Sequence, residues 1–436
     1  MIPLEIGMLA LAAMGLLVLF GLYVPIALIT CSFIGVWAIK GSPILASKML
    51  GLAANDAISS YFFGVVPLFV MMGFVVSESG MGQDAFDVAN ALFRRIKGGL
   101  GLGTIAANTI FAAVTGISIA SAAVFTKIAV PALRHHGYTT RFSVGVVAGS
   151  SVLGMLIPPS LLLILYGLLT EQSIGDLFVA GIGPGLLLAV IFGAGTLLMA
   201  YFAPHAVGHN LGQGTSHLTG YELVRKGSPI TLLIVLVLGG IYAGVFTPVE
   251  AGAVGTVLAL VIGCLKRTLT LRDFWRILVD TGLVTASVCF LIIAAQMYSR
   301  MLAFSGLPES FGQWITSVDL SLVGLICLYI LVVVLCGMIL DSSSIMLILV
   351  PLMLPVIQPM GIDLVWFGII TVIAVEIGLL TPPFGLSVYV IKSTLDDTSI
   401  KLADIFIGAA PFAAMMLLCL VTVIVFPSIA TGFLNR

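Results

Sequence analysis

Apolar runs close to the roughly 20 residues needed to cross a bilayer follow one another along almost the whole chain, parted by short joints that hold most of the charge. Their order is span, span, span, hairpin, broken span, span, and it occurs twice. In the first half the runs cover 4–21, 24–39 and 61–76, a re-entrant helical hairpin at 98–134, a broken span at 138–169 and a last span at 177–202. The second half repeats the series from 230 to 426, with its hairpin at 321–358 and its broken span at 364–394. Two segments that mix charged and apolar residues, 44–60 and 268–282, follow the second span of each half. They are expected to lie along the membrane surface. The pattern predicts an all-α polytopic membrane protein with two repeats, 1–203 and 229–436, joined by a linker at 204–228.

The punctuation of the two halves is in register. Pro131 and Pro355 are 224 residues apart (355 − 131), and the same separation relates Gly137 to Gly361, Gly154 to Gly378, Pro158 to Pro382 and Pro159 to Pro383. Ser118 and Ser342 share that register, as do Phe142 and Trp366. Gly21-Leu-Tyr-Val-Pro25 is echoed by Gly244-Val-Phe-Thr-Pro248, which carries the repeat back to the first helical corner. Duplicated helix breakers mark secondary transporters, in which paired broken segments build the central binding site.

Composition agrees with a lipid environment. Of 436 residues, 60% are hydrophobic and 8% charged, with a formal net charge of −1, whereas a globular chain carries about 25% charged residues. The near-neutral charge and the lack of a basic domain argue against nucleic acid as a partner. Six cysteines stand singly in apolar stretches and read as packing residues. The start, Met1-Ile-Pro-Leu-Glu, lacks the basic flank of a cleavable signal, so the first run is expected to be a retained span. The linker is rich in Gly, His, Ser and Thr and holds His205, His209 and His217. Their irregular spacing points to a solvated connector rather than a metal site.

Lys and Arg collect on cytoplasmic loops. Arg94, Arg95 and Lys97 precede the first hairpin and Arg134 and Arg141 follow it, whereas no Lys or Arg occurs from 307 to 391, around the second. The two hairpins are therefore expected to enter from opposite faces, giving inverted repeats with the amino terminus outside. Lys40 and Lys48 do not fit this scheme.

The chemistry is expected at the hairpin tips and the breaks. The first tip reads Thr115-Gly-Ile-Ser-Ile-Ala-Ser121 and the second Gly337-Met-Ile-Leu-Asp-Ser-Ser-Ser344. The breaks read Gly149-Ser-Ser-Val-Leu-Gly-Met-Leu-Ile-Pro-Pro-Ser160 and Glu376-Ile-Gly-Leu-Leu-Thr-Pro-Pro-Phe-Gly385. Backbone that leaves a helix inside a bilayer needs protein, water or an ion to complete it. A double proline removes two amide donors; freed carbonyls suit a hard cation, and half-helix amino ends suit an anion. Two sodium-type sites with substrate between them follow. The ion-ligand candidates are Thr115, Gly116, Ser118, Gly149, Ser150, Gly154, Asp341, Ser342, Ser344, Gly378 and Thr381, and the substrate-facing candidates are Ser118, Ser121, Ser160, Ser342, Ser343, Thr381 and Pro383.

Ionisable groups inside a membrane are costly and usually functional, which singles out Asp341 and Glu376. Glu250, just after Thr247-Pro248, is placed either to cap a helix near an interface or to take part in transport. Lys127 and Arg300 either snorkel to the interface or meet a carboxylate.

At these residues the chain resembles the large membrane subunit of the TRAP transporters, the tripartite ATP-independent periplasmic carboxylate transporters of bacteria and archaea. The resemblance rests on Gly116-Ile-Ser-Ile-Ala-Ser-Ala-Ala, Ile128-Ala-Val-Pro-Ala-Leu-Arg-His-His-Gly-Tyr138, Ile157-Pro-Pro-Ser160, Tyr242-Ala-Gly-Val-Phe-Thr-Pro-Val-Glu-Ala-Gly252, Asp341-Ser-Ser-Ser344 and Leu380-Thr-Pro-Pro-Phe-Gly385, an ordered set along nearly the whole chain. It departs from the family pattern at Ile119, Val124, Phe125 and Lys127, where small residues are usual. The resemblance implies an elevator-type importer in the cytoplasmic (inner) membrane, driven by sodium as coupling ion with no other cofactor. It further implies a periplasmic binding protein that delivers an organic acid such as sialic acid or a C4-dicarboxylate. A separate four-helix small membrane subunit is expected, this chain looking like the unfused form. The rival readings are a stand-alone sodium/divalent-anion symporter and a polytopic membrane enzyme; the latter needs a His, Asp or Glu cluster, which the five loop-borne histidines do not supply.

Overall fold

The computed structural model describes residues 2–208, 218–317, 321–395, 397 and 399–434, and all regular structure among them is helical. The first half runs α1 (Pro3–Leu19), α2 (Val24–Lys40), α3 (Pro43–Ser59), a 3-10 turn at Tyr61–Gly64, α4 (Val65–Glu78) and α5 (Met81–Phe93). A hairpin of α6 (Gly99–Thr115) and α7 (Ser118–His135) follows, then α8 (Thr140–Ser151), α9 (Leu153–Leu156) and α10 (Leu161–Thr170), which form the broken span. The half closes with α11 (Ile174–Phe202) and the short α12 (Pro204–Val207). The second half comprises α13 (Gly220–Tyr242), α14 (Pro248–Leu265), α15 (Leu271–Ser305) and α16 (Leu307–Ser317). Its hairpin is α17 (Leu322–Gly337) and α18 (Ser342–Ile357), its broken span α19 (Leu364–Leu380) and α20 (Leu386–Thr394), and its end α21 (Leu402–Val425) and α22 (Ser428–Thr431).

Helix starts at Val24, Ser118 and Thr140 recur 224 positions later at Pro248, Ser342 and Leu364, so the repeat of breakers is a repeat of elements. Among the described residues seven helices are long and apolar enough to cross a membrane, the first broken span being the most enclosed of them. The first two expected spans are helices of 17 residues, about 25 Å long at 1.5 Å per residue and at the lower limit for a crossing.

Two expectations need correction. The segment 268–282 is not a separate surface helix: it forms the first turns of α15, a single helix of 35 residues. In the first half Ser60 is extended (φ −67°, ψ 121°) and the 3-10 turn parts α3 from α4, whereas nothing near the matching Val284 stops the helix. The linker is also shorter than expected. Helix α13 begins at Gly220, because Thr219 and Glu222 cap it reciprocally, with Glu222 N–H donating to Thr219 Oγ1 at 3.3 Å and Thr219 N–H to Glu222 Oε2 at 2.9 Å. His205 lies on α12, and His209 and His217 fall outside the described residues.

Packing is reciprocal between the halves. Helix α4 packs on α14 and α2 on α15; α7 packs on α20 and α18 on α10. Each pair is the register-shifted counterpart of the other. At the first contact Thr256 Oγ1 donates to the Leu68 carbonyl at 2.8 Å. Helix α8 crosses α21 where Gly145 meets Gly408 backbone to backbone, beside an Arg141–Asp404 ion pair of 2.9 Å. Lys226 on α13 and Lys266, just past the end of α14, grip Asp87 and Asp84 on α5. Arg300 does not snorkel: it pairs with Asp56 at 2.7 Å and donates to the Met49 carbonyl at 2.9 Å, tying α15 to α3. Lys40, out of place in the charge scheme, lies over the Phe304 ring at 4.2 Å.

Candidate functional site: two hairpin tips against two diproline breaks

The first tip is held against the first break by backbone. Helix α6 stops at Gly116, which is left-handed (φ 65°), and a Cβ there would sit 2.2 Å from the Pro159 carbonyl oxygen. Only glycine allows both the turn and the approach. The Gly116 carbonyl accepts from Leu161 N–H at 3.1 Å, while a Cβ on Gly154 would lie 3.1 Å from the Ile117 carbonyl carbon. Residues 157–160 are buried.

Side chains around this junction are largely bound to their own helices. Thr115 Oγ1 donates to the Phe111 carbonyl at 2.9 Å and Ser150 Oγ to the Val146 carbonyl at 2.6 Å. Ser160 donates to the Met155 carbonyl and accepts from Leu163 N–H at 3.3 Å, capping α10. Two polar atoms have no partner: Ser121 Oγ and Asn108 Oδ1 are buried and unsatisfied. Asn108 Nδ2 reaches Ser150 Oγ at 2.6 Å, joining α6 to α8.

The second tip repeats the arrangement with different chemistry. Helix α17 crosses α19 at Gly337 and Gly378, where a Cβ on Gly378 would lie 2.6 Å from the Gly337 Cα. Phe384 N–H donates to the Met338 carbonyl at 3.2 Å, fastening break to tip. Asp341 caps α18, accepting from the amides of Ser343 and Ser344, both at 3.1 Å, and from the Ser344 hydroxyl. Ser342 Oγ donates to the buried Glu376 Oε1 at 3.2 Å. Thr381 Oγ1 donates to the Ile377 carbonyl at 2.6 Å. Unlike the first break, Pro382, Pro383 and Phe384 are exposed. Both diproline bonds, Pro158–Pro159 and Pro382–Pro383, are cis.

The structure thus gathers Thr115, Gly116, Ser118, Gly154 and Ser160 at one junction and Asp341, Ser342, Ser344, Gly378 and Thr381 at the other. Gly149 is elsewhere: a Cβ on it would press into the Phe412 ring at 2.4 Å, so it serves the α8–α21 contact. Glu250 is fully accounted for by its cap, taking Thr247 N–H at 2.8 Å and returning its own N–H to Thr247 Oγ1 at 3.3 Å. Asn108 was not among the expected residues; an amide inside the apolar run of α6 was its signal. Lys127 opens onto a 480 Å³ cavity between α7 and the end of α20, shared with Arg134, Thr394 and Asp397. There Asp397 pairs with Arg134 at 2.6 Å, and the Ser399 hydroxyl and Arg134 hold its carboxyl down at about 2. Among the described residues no three His, Cys, Asp or Glu are grouped to hold a metal ion.

Residues 6–429 match the family model of the tripartite ATP-independent periplasmic transporter, DctM component. The chain is 31% identical over 389 residues to the C4-dicarboxylate TRAP transporter large permease protein DctM of Pseudomonas aeruginosa, covering 89% of this chain and 90% of that one. It is also 31% identical over 388 residues to the sialic acid TRAP transporter large permease protein SiaM of Vibrio cholerae, with 89% and 88% covered. Among solved structures, the YdaH transporter of Alcanivorax borkumensis shares the fold with a TM-score of 0.62 at 16% identity, over 89% of both chains. These relatives are transporter permeases, not enzymes, and a tripartite system brings partner subunits with it. On the match of nearly its whole length, this chain belongs to the family of large membrane permeases of tripartite ATP-independent periplasmic transporters.

Proposed function

We propose that the chain is the translocation subunit of a sodium-coupled, binding-protein-dependent importer of an organic acid, working by an elevator movement in the bacterial or archaeal cytoplasmic membrane. The observation that carries the reading is that each hairpin tip is bonded to the break beside it, by Leu161 N–H to the Gly116 carbonyl at the first and by Phe384 N–H to the Met338 carbonyl at the second. Paired interruptions of this kind within a membrane are tolerated where they face a ligand. One sodium ion completes each junction, drawing on Thr115, Gly116, Ser118, Ser150 and Gly154 at the first and on Asp341, Ser342, Ser344, Gly378 and Thr381 at the second. The acid sits between them, against Ser121, Ser343 and the exposed Pro383. A periplasmic binding protein delivers it, and a small four-helix membrane subunit forms a stable complex with this chain. C4-dicarboxylates and sialic acid, the cargoes named for the two relatives, set the substrate class.

Coupling follows from differential stability. Empty tips leave buried side-chain oxygens such as Ser121 Oγ without a partner and disfavour movement across the bilayer, and ions with substrate remove that penalty. The test is uptake of C4-dicarboxylate and sialic acid into proteoliposomes holding the whole tripartite complex. An imposed sodium gradient is expected to drive uptake and a proton gradient alone is not; the reverse pattern overturns the sodium reading.

A further inference from the structure

The second junction holds two carboxyl groups that the first lacks: Asp341, where the register gives Ile117, and Glu376. Glu376, on α19 two residues before Gly378, is 1% exposed. Its Oε1 accepts from Ser342 Oγ at 3.2 Å, and its Oε2 is buried with no hydrogen-bond partner. In the 224-residue register Ser342 matches Ser118, but Glu376 matches Val152, so the first tip has the hydroxyl and lacks the acid.

Among the described residues no cation pairs with this group. No Lys or Arg occurs between 307 and 391. On the elements packed against α19, the charged side chains are Lys392, Asp404 and Asp176. Lys392 donates to the Ile400 carbonyl and Asp404 is paired with Arg141. The other carboxylate of this tip, Asp341, is taken up by its cap, and Asp363 caps the start of α19. A buried carboxylate with a free oxygen and no counter-ion is costly in a bilayer. A small hard cation beside Oε2 removes that cost.

Resting on the sodium reading above, we propose that Glu376 supplies a carboxylate ligand, beside the capped Asp341, to the ion at the second tip. That site then holds a second carboxylate besides Asp341, while its counterpart is built from neutral oxygens. The two ions bind unequally, the second tip filling at the lower concentration.

Thermal unfolding of the purified full-length chain, titrated with sodium chloride replacing choline chloride at constant ionic strength, tests this. The wild type is expected to gain stability as sodium rises. Glu376→Gln, nearly isosteric, should need at least about tenfold more sodium for half of that gain, and in choline alone it should be no less stable than wild type, since a buried charge has gone. Ser118→Ala should leave the low-concentration response in place. A wild-type response with an unchanged one in Glu376→Gln overturns this inference alone; a wild type indifferent to sodium overturns the sodium reading and this inference with it. Should Glu376→Gln not survive purification, Glu376→Asp serves: a several-fold rise in the half-effect concentration supports the assignment, and none overturns it.

Discussion

Several hydroxyls at the two tips and breaks are engaged by nearby backbone carbonyls before any ligand arrives. Thr115, Ser150, Ser160 and Thr381 all donate to carbonyls three to five positions back, a habit of Ser and Thr in membrane helices. Residue type alone therefore could not separate a ligand from a cap, and Ser160 and Glu250 show how readily a cap takes the residue. Glycines were more legible, because a left-handed turn or a backbone crossing admits nothing else. Gly116→Ala is expected to cost more than about 1 kcal/mol from the left-handed backbone alone, with the Pro159 oxygen in its way; a lowered midpoint in thermal unfolding and loss of uptake check it. Asp397 belongs to the same scale. Its carboxyl is held at about 2 in the folded protein, below the usual value of about 3.9. Its contribution to stability is thus present above the usual value and is lost as pH falls towards 2. Asp397→Asn should flatten the midpoint-against-pH curve between about pH 4 and 2 and leave its shape above pH 5 unchanged.

At the scale of elements, the hairpins and breaks were readable because helix breakers act locally. The boundaries at Ser118, Ser342, Thr140 and Leu364 follow from residues within a turn of them. The continuous α15 was not readable in the same way. Its charged first turns and its apolar remainder have different compositions, and only the absence of a stop near Val284 makes them one helix. Crossing points give the sharpest test here. Gly378→Val puts a branched side chain where α17 meets α19, within 2.6 Å of the Gly337 Cα at its first carbon. It is expected to destabilise the fold by about 1–3 kcal/mol. Gly239→Ala on α13, with nothing within 4 Å of the added carbon, should instead gain about 0.5–1 kcal/mol. Thermal unfolding of the pair separates crowding from a general sensitivity to added methyl groups.

Over the whole molecule, the halves exchange partners. Helix α7 lies on α20 and α18 on α10, so the second arm of each hairpin packs on the far half of the other repeat's broken span. The duplication in the sequence anticipated the matched parts but not this exchange. The ion pairs that clasp α5 to α13 and α14 escaped notice as well, since Asp84 and Asp87 lie far along the chain from Lys266 and Lys226. Reciprocal packing is what two copies related by a twofold axis in the membrane plane require, and the account depends on their opposite insertion. The direct measurement is sided labelling of single cysteines, in a chain whose six native cysteines are replaced. His135→Cys, at the exposed end of α7, and Met360→Cys, in the exposed turn after α18, would be probed with a membrane-impermeant maleimide in right-side-out and inside-out vesicles. The account predicts that the two positions label from opposite faces, position 135 from the cytoplasmic one. Labelling of both from the same face would contradict it.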